Sequence, residues 1–193
     1  MFDTKDTNKT LPAAMLSETR VRTGIVRASY AHVDKPVAAV AGGDEKYSLA
    51  VLIAKDDKET LNVIEKGISN AIEQGRDKFG GKIPNKAALK LPLRDGIERN
   101  DEAYQDCMFI NTNNRTQPQV IDADRHKADP SIIYSGCYCR VTINFYTFNV
   151  NGNRGVGASL GNIQFVEDGE PLGGTHYTAE SDFGAAEDDD FLA

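Results

Sequence analysis

The side chains in this sequence that could break bonds are poorly placed to do so, while those that could hold a ligand are well placed. Asp122, Asp124 and Asp129 fall in one polar loop and are the set from which a metal-dependent nuclease would be built. The histidines His32, His126 and His176 are scattered, with no second ligand at helix or strand spacing. Cys137 and Cys139 form a C-x-C, but zinc needs two further ligands and usually a wider spacing, so the pair reads as buried thiols packing like small hydrophobes. Glycines between 152 and 161 lack the Gly-Lys-Ser/Thr ending of a phosphate loop. No nucleophile–base pair stands out. The expectation is a protein without catalysis, cofactor or metal, with a nuclease reading on the three aspartates and a self-assembling structural protein as the alternatives.

Binding chemistry is concentrated in 134–148, YSGCYCRVTINFYTF. Cys137, Cys139, Val141, Ile143 and Phe145 alternate with Tyr138, Arg140, Thr142, Asn144 and Tyr146, the period of a long strand with one face in a core. The second face interleaves rings with a guanidinium and an amide. Aromatic rings on which bases stack, beside cations that hold phosphates, are what single-stranded nucleic acid requires. The same face would also suit an edge whose tyrosines pack under a loop. The ring candidates are Tyr104, Tyr134, Tyr138 and Tyr146; Tyr30 and Phe109 stand behind them, the parity of their strands being ambiguous. A basic connector at 78–100 and the neighbouring loops supply Lys82, Lys86, Lys90, Arg94, Arg99, Arg115 and Arg154, which with Arg140 are the candidate phosphate contacts. A solvated loop face would have the same composition.

The elements that must position these groups are mostly strands. Residues 21–33, 46–54, 104–111, 133–148 and 156–166 read as five strands, with Asn151-Gly152 as a hairpin signal before the last. Asp56, with Glu59 three residues on, predicts a capped helix start. Leu61, Ile64, Ile68, Ala71 and Ile72 give that helix an apolar face, and Gly75 a stop. The helix therefore lies between the second and third strands.

The charge of the chain is unevenly spread. It has 193 residues and a formal net charge of −7, yet 167–193 holds nine acids and no Lys or Arg, leaving 20 acids against 22 basic residues before it. A slightly basic body with an acidic end points to an anionic partner or an interaction tail, so overall acidity does not exclude nucleic acid. The odd cysteine count argues for a reducing compartment, no apolar run approaches a membrane span, and the polar start does not read as a signal peptide. At the end, Asp188, Asp189 and Asp190 precede Phe191 and Leu192. An anionic segment with an apolar tip could occupy the protein's own basic groove or a pocket on another protein.

The stretch at 133–174, ending in DGEPLGG and followed by TAESDFG at 178–184, KYSLAVLIAKDDKET at 46–60 and LPLRDG at 91–96 together resemble the phage-encoded single-stranded DNA-binding proteins of the Enterobacter phage Enc34 type. The likeness runs from about Val21 to Gly184. It implies an all-β fold with one or more accessory helices: a five-stranded OB-type β-barrel with long loops and a disordered acidic C-terminal tail. It also implies a protein that coats single-stranded DNA largely independently of sequence during phage replication or recombination. The expected organisation is a flexible N-terminal arm (1–19), the DNA-binding barrel (20–174) and the acidic tail (175–193). The tail would contact phage or host replication and recombination proteins through Asp188, Asp189, Asp190 and Phe191 and would compete with DNA. A homodimer is compatible with this reading, a membrane partner is not, and the expected location is the cytoplasm of the infected host. The sequence departs from the family pattern in ending Phe-Leu-Ala, so its aromatic is not terminal.

Overall fold

The computed structural model of the chain describes residues 11–173. Five long strands, β1 (Val26–Ala38), β2 (Glu45–Ala54), β3 (Cys107–Asn114), β4 (Tyr138–Val150) and β5 (Asn153–Glu167), and one helix, α1 (Lys58–Gln74), build the body. β1 pairs antiparallel with β2 and, at Val26 and Arg27, with β4. β2 continues antiparallel into β3, β3 meets β5 in parallel at Asn113 and Ser159, and β5 returns along β4. The ring is thereby closed, with the first strand between second and fourth and the third against the fifth. This is an OB-type barrel.

Alternation along the strands explains the interior. Val51, Ile53, Ile110, Val141, Ile143, Phe145 and Leu160 all point inward and are at most 2% exposed. Cys137 and Cys139 are buried free thiols in the same core. α1 closes the barrel with Ile64, Ile68, Ala71 and Ile72. Gly67 lets it come close, since a Cβ there would lie 2.9 Å from both Phe145 Cδ2 and Val21 Cγ1.

Three details differ from the sequence expectation. The helix cap is Asp57, not Asp56: its Oδ1 accepts from Thr60 N–H at 3.0 Å, and Thr60 Oγ1 accepts from Gly24 N–H at 3.0 Å, tying the helix start to the segment before β1. Gly75 ends the helix, donating to Ala71 O at 2.9 Å. The expected strand at 21–33 is two pieces. Arg20–Arg22 pairs with β4 on one side and with a two-residue strand, Ala14–Met15, on the other, so the N-terminal arm is packed from residue 11 onward in its described part. The basic connector contributes a further short strand, Leu93–Asp95, paired with β3. Lys90 bridges to β5, its carbonyl accepting from Val156 N–H at 2.9 Å, so the connector spans the splayed gap between parallel β3 and β5.

Candidate nucleic-acid interface

On the outer face of β2 and β3 the register pairs are Ser48 with Asn113, Ala50 with Asn111 and Leu52 with Phe109. The two ends of this face differ. At the Leu52–Phe109 end the connector folds over as a roof. Tyr104 lies fully buried with its ring edge-on to Phe109, centroids 5.4 Å apart, and its hydroxyl donates to Ser29 Oγ at 3.0 Å. Burial pushes the Tyr104 phenol up, with the Ser29 bond and the nearby Arg99 acting the other way.

The other end is open. A cavity of about 880 Å³ lies between the β1–β2 arm and the β2–β3 face, lined among others by Tyr30, His32, Lys46, Ser48, Arg99 and Asn113. Tyr30 presents its phenol ring to it, 57% exposed and in the left-handed backbone region at φ 44°. The β1–β2 ladder slips between Ser29 and His32. A bulge of this kind turns a side chain out of the alternation, at a strain cost of about 1–3 kcal/mol for a non-glycine residue. Arg99 fixes the exposed ring. Its guanidinium carbon is 6.0 Å from the Tyr30 centroid, 5.6 Å from Tyr104 and 5.3 Å from Phe109. Arg94 covers the same Phe109 ring at 5.2 Å while pairing with Glu98. The cavity thus presents a ring held by a cation, a lysine, a histidine and asparagine amides. At its rim Asp44 pairs with Arg115, which holds the Asp44 carboxyl below its ordinary value.

The residues proposed from sequence are not all brought together. Arg99, Arg94 and Arg115 border the cavity or its roof. Lys90 and Arg154 are exposed beside the β4–β5 turn, Lys90 Nζ bonding Asn153 Oδ1 at 2.8 Å. Lys82 and Lys86 are exposed, and Lys86 reaches Ser69 of α1 at 3.3 Å, on a different side of the molecule. Tyr104 is under the roof and Tyr138 is 5% exposed with Arg27 over its ring at 5.7 Å, so neither presents a face to a base. Tyr134 is half-buried, its hydroxyl 2.9 Å from Asp168 Oδ1. Arg140 is 7% exposed and donates to Thr23 O at 3.3 Å and Pro12 O at 2.8 Å. The alternation of β4 was read correctly, but the first half of its outer face is covered by residues 11–23 and by the chain after β5. Tyr146, in the second half, is exposed.

His32, Lys46, Ser48, Asn111 and Asn113 also line the cavity and are not among the binding residues singled out from the sequence. Ser48 and Asn111 alternate with core residues on strands legible in the sequence, whereas Asn113 lies past the expected end at 111 and His32 and Lys46 are single polar residues with no run of rings or charge to mark them. Of the three loop aspartates, Asp122 Oδ1 accepts from Asp124 and His126 N–H groups, and Asp129 caps a turn through Ser131 N–H. Among the described residues no three His, Cys, Asp or Glu side chains gather as a metal site would require. Asp188, Asp189, Asp190 and Phe191 lie outside the described residues, as does the expected tail at 175–193.

A closed OB-type barrel with an open, ring-bearing, cationic groove on its second and third strands is the architecture of an oligonucleotide-binding protein. The family model described as Enterobacter phage Enc34, ssDNA-binding protein, matches residues 19–192, and the chain belongs to that family. Protein p50 of Acyrthosiphon pisum secondary endosymbiont phage 1 is 31% identical over 183 residues, covering 90% of this chain and 99% of that one. The solved structure of the single-stranded DNA-binding protein from bacteriophage Enc34 in complex with ssDNA superposes with a TM-score of 0.68 at 24% identity, covering 86% of this chain and 99% of that one. The gp2.5 single-stranded DNA-binding protein encoded by bacteriophage T7 shares the fold at a TM-score of 0.56 and 15% identity, covering 81% of this chain and 95% of that one.

Proposed function

We propose that this protein is a phage single-stranded DNA-binding protein that holds its ligand in the groove between the β1–β2 arm and the outer face of β2 and β3. The observation that carries this reading is Tyr30: an apolar ring more than half exposed, turned outward by a strained bulge and held by Arg99. A base stacks on Tyr30, Arg99 and Lys46 take phosphates, and the Ser48, Asn111 and Asn113 side chains offer hydrogen bonds to whichever base edge passes. A ring and adaptable polar groups set no sequence, so binding is largely sequence-independent. The protein acts by coating rather than by catalysis, in the service of replication or recombination, in the cytoplasm of the infected host. The test is anisotropy of labelled poly-dT at two salt concentrations. Binding that weakens with salt is expected, and no binding at low salt would overturn the reading.

The acidic end serves two roles in this scheme. Asp188, Asp189 and Asp190 imitate phosphates and compete for the groove, and with Phe191 they dock on replication or recombination proteins. Deleting 187–193 is expected to tighten poly-dT binding several-fold, because a tethered competitor acts at high effective concentration. Unchanged affinity after truncation would remove the competition and leave recruitment standing.

A further inference from the structure

The outer face of the groove does not stop at β3. Register pairs carry one row of side chains across the barrel: His32 beside Ser48, Ser48 beside Asn113, Asn113 beside Ser159, Ser159 beside Asn144, and Asn144 beside Arg20. Residues paired in register share a face, and none of the six is buried. One pair along, Tyr146 lies beside Gly157 and is 45% exposed. A Cβ on Gly157 would fall 2.4 Å from Tyr146 Cζ, so the missing side chain is what lets the ring lie across the β5 backbone.

At the Arg20 end of the row, on the side of Asn144 away from Tyr146, cations gather. Arg22 lies beside Thr142 on β4, and its Nε is buried without a hydrogen-bond partner. Among the described residues, no ion pair involves Arg20, Arg22, Arg125 or Arg140. Burial lowers Arg140 from its ordinary value, and Arg22 and Arg125 press in the same direction, so these guanidiniums are near enough to repel. Glu18, two residues before Arg20, accepts from Gln74 Nε2 and forms no ion pair with these arginines. Cations held together without an ion-paired acid attract an anion from outside.

We infer that the DNA strand leaving the groove at Asn113 continues around the barrel over β5 and β4, stacks again on Tyr146 and ends with its phosphates against Arg20 and Arg22. This rests on the groove reading above and adds a second half to it. From β1 to β4 by way of β2, β3 and β5 is four strand spacings, about 19 Å along the surface. At about 3.4 Å per nucleotide that span holds about six nucleotides, in the lower part of the range of about 4–16 that one OB barrel covers.

The test compares dT oligonucleotides of about three and about eight nucleotides, lengths that at about 3.4 Å per nucleotide fill the groove alone or the whole path. Wild type is expected to bind the longer one more tightly. Arg20→Ala/Tyr146→Ala should bind the short oligonucleotide as wild type does and lose about tenfold on the long one, with the salt slope shallower by about 0.7 for the phosphate contact removed. A wild-type-like affinity for the long oligonucleotide would overturn the path. So would an equal loss on both lengths. Tyr30→Ala provides the separation: a loss on the short oligonucleotide with Arg20→Ala/Tyr146→Ala unaffected on the long one leaves the groove standing and removes only its extension. A measurement on the unmodified chain guards against misfolding of the variant. Photo-crosslinking a long dT strand carrying 5-bromodeoxyuridine should give adducts on peptides containing Tyr30 and Tyr146, and adducts at Tyr30 without any at Tyr146 would overturn the extension.

Discussion

Tyr30→Gly/Arg99→Ala should reduce poly-dT affinity by more than about 100-fold at moderate salt, the largest binding effect expected of any pair in the chain. Stacking on one ring is worth about 1–3 kcal/mol, and loss of a phosphate contact adds to it. The choice of glycine makes the result diagnostic. Tyr30 sits at φ 44°, where glycine is at ease and a tyrosine is strained, and its ring is largely in solvent. Tyr30→Gly alone should therefore melt at or near the wild-type temperature while binding falls. A position that weakens the fold and strengthens the function is understandable only if the ring has work to do outside the molecule. If Tyr30→Gly binds as tightly as wild type, the groove is not where the bases lie.

Phe109→Ala carries the largest expected effect on stability. The ring is fully buried, edge-on to Tyr104, and lies beneath both Arg94 and Arg99. Removing a phenyl group from such a site typically costs about 3–5 kcal/mol, which for a chain of this size lowers Tm by roughly 10 °C. Thermal unfolding followed by circular dichroism would register it. Binding should fall as well, since Arg99 loses one of the surfaces on which it is held beside Tyr30. Tyr104→Phe serves as the contrast. It deletes only the hydroxyl bonded to Ser29, at a cost of about 1 kcal/mol, and leaves poly-dT binding unchanged because the ring never meets solvent. A large loss of binding in Tyr104→Phe would mean that the roof opens when DNA is bound.

The contrast between Tyr104 and Tyr30 shows where the sequence could be read and where it could not. Both are tyrosines in or next to a strand, with Arg99 against each ring. Tyr104 is taken inward by a turn that places it over Phe109. Tyr30 is pushed outward by a slip in pairing with β2, which no periodicity in its own strand announces. The same holds along β4. Alternation correctly separates Cys139, Val141 and Ile143 from Arg140, Thr142 and Asn144, but both kinds of residue are buried at the start of the strand and only one kind further on. Residues 11–23 and the chain after β5 make the difference, and neither has a pattern that says what it will cover.

The chain's own chemistry determined the strands, the helix and its apolar face, the basic connector and the uneven charge, because each depends on neighbours a few residues apart. The barrel's tertiary closure decided which rings reach solvent, which cations share a surface, and that polar residues from strands far apart in sequence line up in register. Those outcomes depend on pairing between distant segments and on what packs over them.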